Sequence, residues 1–164
     1  MSTQVTVHRM VTTTTTSAFL VNIGYLKTFP GILKIFQIIL GCVAVGITGH
    51  YIHWTSRSEY VVPELFFLLI ATACLITTSL LLFSCLCSIA TSSIMPKTLF
   101  ETMYHIVASL LYFASALYLL IHLTNKTYRD NQYVAKTAAS ALGLVNCALY
   151  VLSSIYSVRT FRRG

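Results

Sequence analysis

The sequence predicts an all-α fold, a four-helix transmembrane bundle with both termini cytoplasmic. Three observations carry this. Four stretches, Ile35 to Ser56, Leu65 to Pro96, Thr102 to Asn125 and Thr137 to Val158, contain no Asp, Glu, Lys or Arg. A helix rises about 1.5 Å per residue, so roughly 20 apolar residues cover a hydrocarbon core of about 30 Å, and all four stretches are long enough. The 164 residues are 56% hydrophobic and only 9% charged, where a soluble domain usually carries about 25% charged residues. Finally, the basic residues divide unequally between the span ends. Arg9, Lys27, Lys34, Lys97, Arg159, Arg162 and Arg163 fall on one side, and Arg57, Lys126, Arg129 and Lys136 on the other. The richer side is expected to face the cytosol.

Residues 1–24 read as a flexible cytoplasmic tail with a Thr run from Thr12 to Thr16. The apolar patch Ala18 to Ile23 is too short for a signal-peptide core, so the first helix is expected to direct insertion itself. That helix starts after Phe29-Pro30-Gly31, where proline is tolerated in a first turn, and runs to about Tyr51. A short loop, His53 to Tyr60, follows; Tyr51, Trp54 and Tyr60 suit an interfacial aromatic belt. The second helix starts near Val62-Pro63-Glu64 and ends near Ser88, and Ser92 to Lys97 turns the chain. The third covers about Thr98 to Leu123. A polar loop from Thr124 to Gln132 leads to the fourth, from about Tyr133 to Ser157. Residues 25–158 thus form one four-span membrane domain, and 159–164 a basic cytoplasmic tail.

Charged residues within spans are rare and are functional candidates by default. Glu64 and Glu101 sit in first turns, where a carboxylate complements the helix dipole. Lys34 and Lys136 sit in first turns too, and lean outward toward the interface. Spacing puts Lys34 and Gln37 on one face of the first helix, and Glu101 and His105 on one face of the third. Both helices begin on the same side, so these four residues are expected to meet as one polar cluster. Helices two and four begin on the other side, so Glu64 and Lys136 are expected to pair there.

The fourth helix carries Ala135, Ala139, Gly143 and Cys147 at every fourth position. Such a stripe lets another backbone approach closely. Packing inside the bundle is the first reading, and a homo-oligomer face the second. Gly41, Gly46 and Gly49 make the first helix the other close-packing candidate. Cys85 and Cys87 lie near a helix end, where they read as packing residues first and as candidates for acylation second. Arg159, Arg162 and Arg163 are expected to face anionic lipid.

Several function classes lose support. The basic residues of this +7 chain sit at span ends rather than in one groove-binding patch, so nucleic acid is not an expected partner. Cys42, Cys74, Cys85, Cys87 and Cys147 all lie in apolar spans, which leaves no extracellular disulfide framework. His50, His53, His105 and His122 lack metal-ligand spacing. Asn125-Lys126-Thr127 matches a glycosylation sequon but lies almost against the third helix, so it is expected to stay unused. No phosphate loop, carboxylate pair or nucleophile–base arrangement is recognisable. No enzyme activity, metal or cofactor is expected.

Tyr25-Leu26-Lys27-Thr28-Phe29-Pro30-Gly31-Ile32-Leu33-Lys34-Ile35-Phe36-Gln37-Ile38-Ile39-Leu40-Gly41 combines an aromatic, a basic residue, a Pro-Gly turn and an apolar run broken by a charged or amide position. This resembles the opening of a first helix in the MARVEL family, small four-helix membrane proteins that include the plasmolipin and chemokine-like-factor groups. The four-span architecture over 25–163 is similar as well. The chain departs from many relatives in carrying Lys34 and Gln37 where they hold an acidic residue. The resemblance implies non-enzymatic work: organising cholesterol-rich membrane, trafficking vesicles, or shaping membranes at junctions and fusion sites, at the plasma membrane or on vesicles. The bilayer and other membrane proteins, or further copies of the chain, would be its partners. A small oligomeric channel or transporter subunit is the alternative. Its midplane polar residues, Thr77, Thr78, Ser115 and Asn146, are sparse for a path.

Overall fold

The structure, a computed structural model, describes residues 22–52, 58–125 and 132–163. Four long helices run Phe29–Tyr51, Ser58–Cys87, Leu99–Thr124 and Tyr133–Arg163, and all four contain a span long and apolar enough to cross a membrane. They pack as a ring in chain order, first against second, second against third, third against fourth, and fourth against first. The Thr12 to Thr16 run, Trp54, and Lys126 and Thr127 of the sequon lie outside the described residues, as do the side chains of Tyr60 and Arg163.

Local chemistry sets the boundaries. Thr28 is extended and accepts from the Gly31 N–H at 3.3 Å, with Pro30 in the first turn behind it; both features favour a helix start. Thr98 does the same for the third helix, accepting from the Glu101 N–H at 3.4 Å. Ser88 breaks the second helix with an extended backbone, then caps a short connecting helix, Ile89–Ile94, by accepting from Thr91 N–H at 3.2 Å. A 3-10 turn, Met95–Lys97, completes that connection.

Three boundaries differ from the sequence reading. The second helix begins at Ser58, so Pro63 lies inside it rather than at its start; proline this near an N-terminus removes a single ladder hydrogen bond. The fourth helix continues through Arg163, because no Gly or Pro after Gly143 interrupts it before Gly164. The basic residues 159–163 are therefore its last turns rather than a separate tail. At the other terminus, residues 22–24 are held in place. The Asn22 N–H donates to Leu86 O at 2.7 Å and its side chain to Ser92 Oγ at 2.9 Å. A 3-10 helix, Ile23–Lys27, follows and leads into the first span.

The bundle exposes large apolar side chains that a soluble one would bury. Ala44, Ala71, Ala108, Ala116 and Ala139 are buried, together with Ser115, Ser140, Ser153 and Ser157, while Leu69, Leu80, Phe83, Leu110 and Phe113 are exposed. Small side chains let helices approach closely, and large apolar ones face a surround as apolar as themselves. Soluble monomers rarely expose so much contiguous apolar surface. On the first helix Gly41 faces inward, whereas Gly46 and Gly49 face outward, so only one of the three glycines serves close packing.

Candidate functional site

The inner faces place charged and polar residues at both ends of the ring. At the end where the first helix begins and the fourth finishes, here the tail end, Lys34 Nζ donates to Glu101 Oε1. His105 Nε2 lies 3.4 Å from the same oxygen, one helical turn on. Lys34 also donates to Tyr25 OH at 3.1 Å and sits 5.8 Å from the centre of that ring. The 3-10 segment before the first span thus delivers an aromatic cap over the ion pair. Burial above all, then the neighbouring Cys85 and Glu101, pushes the Tyr25 phenol far above its ordinary range, so it stays neutral.

Gln37 is as deeply buried as Lys34 but faces the fourth helix. Its Nε2 donates to Ser153 Oγ at 2.9 Å, and its backbone carbonyl accepts from Asn146 Nδ2 at 3.3 Å. Asn146 and Tyr112 flank Gly41; a Cβ built there would lie 3.8 Å from Asn146 Nδ2 and 3.7 Å from Tyr112 OH. Tyr150 connects this group to the ion pair. Its ring stacks on Tyr112 at 5.4 Å and tilts against His105 at 5.9 Å. Tyr150 OH shares hydrogen bonds with Thr78, at 2.6 Å, and Thr78 with Tyr104 OH, at 2.7 Å. None of these tyrosine contacts was anticipated from the sequence, because an isolated Tyr in an apolar run carries no spacing signal.

At the far end Lys136 Nζ donates to Glu64 Oε1 at 2.8 Å, with both side chains largely buried. The stripe on the fourth helix lies between the two ends. Ala139, Gly143 and Cys147 are buried and Ala135 half-buried. A Cβ on Gly143 would meet Phe67 Cε2 at 2.6 Å and Ala116 Cβ at 3.1 Å, and Cys147 Sγ donates to Ser109 O at 3.2 Å. The stripe is therefore filled by the chain's own second and third helices.

The other sequence candidates separate. Cys85 is fully buried beside Tyr25, and Cys87 is half-buried. Arg159 and Arg162 are exposed at the tail end. Between the 3-10 segment, the connecting helix and the end of the fourth helix lies an open cleft of about 330 Å³ lined by residues that include Tyr25, Thr28, Ser92, Ser93, Tyr156 and Thr160. No cluster of three or more His, Cys, Asp or Glu side chains fit to hold a metal occurs among the described residues.

Comparison with known families adds one finding. The family described as MARVEL, a membrane-associating domain, matches residues 25–156. No curated protein and no solved structure matches the chain.

Proposed function

Because the chain belongs to the MARVEL family, we propose that it is a non-catalytic multi-pass membrane protein. It organises membrane microdomains, or serves vesicle traffic and membrane apposition at junctions or fusion sites. It lies at the plasma membrane or on vesicles, with the tail end in the cytosol. The observation that carries this reading is the outer surface, where large apolar residues of all four helices stand exposed. Its described polar groups point chiefly inward to hold helices together, and its outer surface is built to contact lipid. The exposed Arg159 and Arg162 add an attraction to anionic lipid at the cytosolic leaflet, about 1 kcal/mol per residue near the surface. Cholesterol-rich or anionic membrane, and other proteins within it, are the partners this surface suits.

A small oligomeric channel is the second reading. Gln37, Asn146 and Tyr112, buried around the bundle axis, favour it. Phe67, packed against Gly143 and Tyr112, occupies interior space that a path through a single bundle would need. Purified protein in liposomes discriminates between the two. The membrane-organising role expects no ion flux, together with co-fractionation of the protein in cells with vesicle or junction membranes. Selective conductance abolished by Asn146→Leu overturns it.

A further inference from the structure

Unpartnered polar atoms gather in the tail-side half of the bundle, with Thr48 Oγ1 a further one outside it. Glu101 Oε2, His105 Nδ1, Gln37 Oε1, Tyr112 OH and Asn146 Oδ1 are all buried without a hydrogen-bond partner from the protein. A buried polar atom left unpaired costs about 1–3 kcal/mol, and native interiors satisfy nearly all of theirs, using ordered water where protein groups do not reach. These five atoms belong to one group, running from Glu101 and His105 through Tyr150 to Tyr112, on to Asn146 beside Gly41, and from Asn146 to Gln37. From Glu101 to Tyr112 the third helix rises roughly 16 Å at about 1.5 Å per residue, about half of a 30 Å hydrocarbon core.

The group has an approach at one end and a stop at the other. Tyr25 lines the open cleft at the tail end and also touches Lys34, so a single side chain separates the cleft from the ion pair. Beyond Tyr112 lies an apolar cluster. Phe67 packs edge-on to Tyr112 at 6.4 Å and fills the space over Gly143, with Ala71, Ala116 and Leu119 buried around it.

We propose that the tail-side half of the bundle encloses a hydrated polar chamber, reached past Tyr25 and bounded on the far side of Tyr112 by Phe67. Its ligand is water. Water can donate to Glu101 Oε2, Gln37 Oε1 and Asn146 Oδ1, and can pair with either role of Tyr112 OH and His105 Nδ1. A cation suits the group less well, because Lys34 already neutralises Glu101. The chamber makes a half-channel of the bundle, solvated from one side only.

Magnetisation transfer from water to the isotope-labelled protein in bilayers tests this. Side-chain signals of Gln37, Asn146, Tyr112 and His105 should build up at the rate of the exposed Arg159, while Phe67, Ala116 and Leu119 lag. Asn146→Leu should slow the build-up at Gln37 and Tyr112, with the Glu64 and Lys136 signals unmoved as the check that the bundle is intact. If Gln37 and Asn146 in the unmodified protein build up as slowly as Ala116, the chamber is dry and the proposal fails. Unchanged build-up at Gln37 in an intact Asn146→Leu bundle would overturn it as well.

Discussion

Lys34 on the first helix and Glu101 on the third meet inside the bundle although they stand 67 positions apart, and each side chain retains 1% of its exposure. Glu64 and Lys136 join the second and fourth helices in the same manner, 72 positions apart. In a ring packed in chain order, these are the two diagonals. One clasp closes each diagonal, and the clasps lie at opposite ends of the bundle. Sequence-adjacent helices are already tied by short connections, so the ion pairs act where the chain itself supplies no link.

The first prediction concerns that diagonal. Removing one partner of a buried pair leaves an uncompensated charge and costs about 3–5 kcal/mol, whereas replacing both with apolar residues of similar size is often neutral. Glu101→Leu should therefore destabilise the bundle strongly, and Lys34→Met combined with Glu101→Leu should recover most of the loss. Thermal unfolding in detergent measures both. A double variant no more stable than the single one would mean that the pair contributes by specific attraction rather than by mutual neutralisation.

The legibility of these features follows from their physics. Apolar runs of span length stand out, and so do ions within them, because both are costly anywhere else. The i, i+3 and i, i+4 spacings place Lys34 with Gln37 and Glu101 with His105 on shared faces. They leave open how each helix is rotated against its neighbours. That rotation sends Gln37 to Ser153 and Asn146 rather than to Glu101, and it brings Thr78 to Tyr104 and Tyr150. Neutral polar residues recur on every span, so their partners depend on tertiary packing alone. The end of the fourth helix was obscured by charge, since Arg159 and Arg162 read as a tail although nothing in them opposes helix formation.

The glycines give the second prediction. A Cβ on Gly143 would strike Phe67 and Ala116, while one on Gly46 meets nothing within 4 Å. Gly46→Ala should be neutral or slightly stabilising, since Ala is favoured over Gly in a helix by up to about 1 kcal/mol. Gly143→Ala should lower stability by about 1–3 kcal/mol, typical of overpacking, and Gly143→Leu should prevent native packing. Leu152→Ala, on an exposed position, should matter less. Equal tolerance at positions 46 and 143 in unfolding assays would contradict the inward placement of the stripe.

A third prediction addresses a backbone contact. Gly31 packs directly on the carbonyl of Tyr25, and a Cβ at Gly31 would collide with that backbone atom. Gly31→Ala should push the 3-10 segment off the end of the first helix, freeing Tyr25 from Lys34. Limited proteolysis should then cut near Lys27 faster than in the unmodified protein. Thr28→Ala removes the cap, costing about 1 kcal/mol, and the hydrogen bond that Thr28 Oγ1 donates to Tyr25 O at 2.6 Å, but it introduces no clash and should have a smaller effect on the cutting rate.

Orientation is the fourth prediction, and it carries with it a lipid contact of the arginines of the fourth helix. With the tail end in the cytosol, a cysteine replacing Gln132 should react with an impermeant thiol reagent in intact cells, and one replacing Ser93 should not. The reverse pattern would invert the protein in the membrane. The same orientation sets Arg159 and Arg162 against the anionic leaflet, where their attraction is screened within about 8 Å at physiological salt. In vesicles containing phosphatidylserine, a fluorophore near position 160 should be quenched more by labelled anionic lipid than by labelled zwitterionic lipid. That excess should shrink as salt rises, and it should largely vanish in Arg159→Gln combined with Arg162→Gln. An excess that survives both the salt and the substitutions would trace lipid selectivity to the buried or apolar parts of the bundle instead of to this helical end.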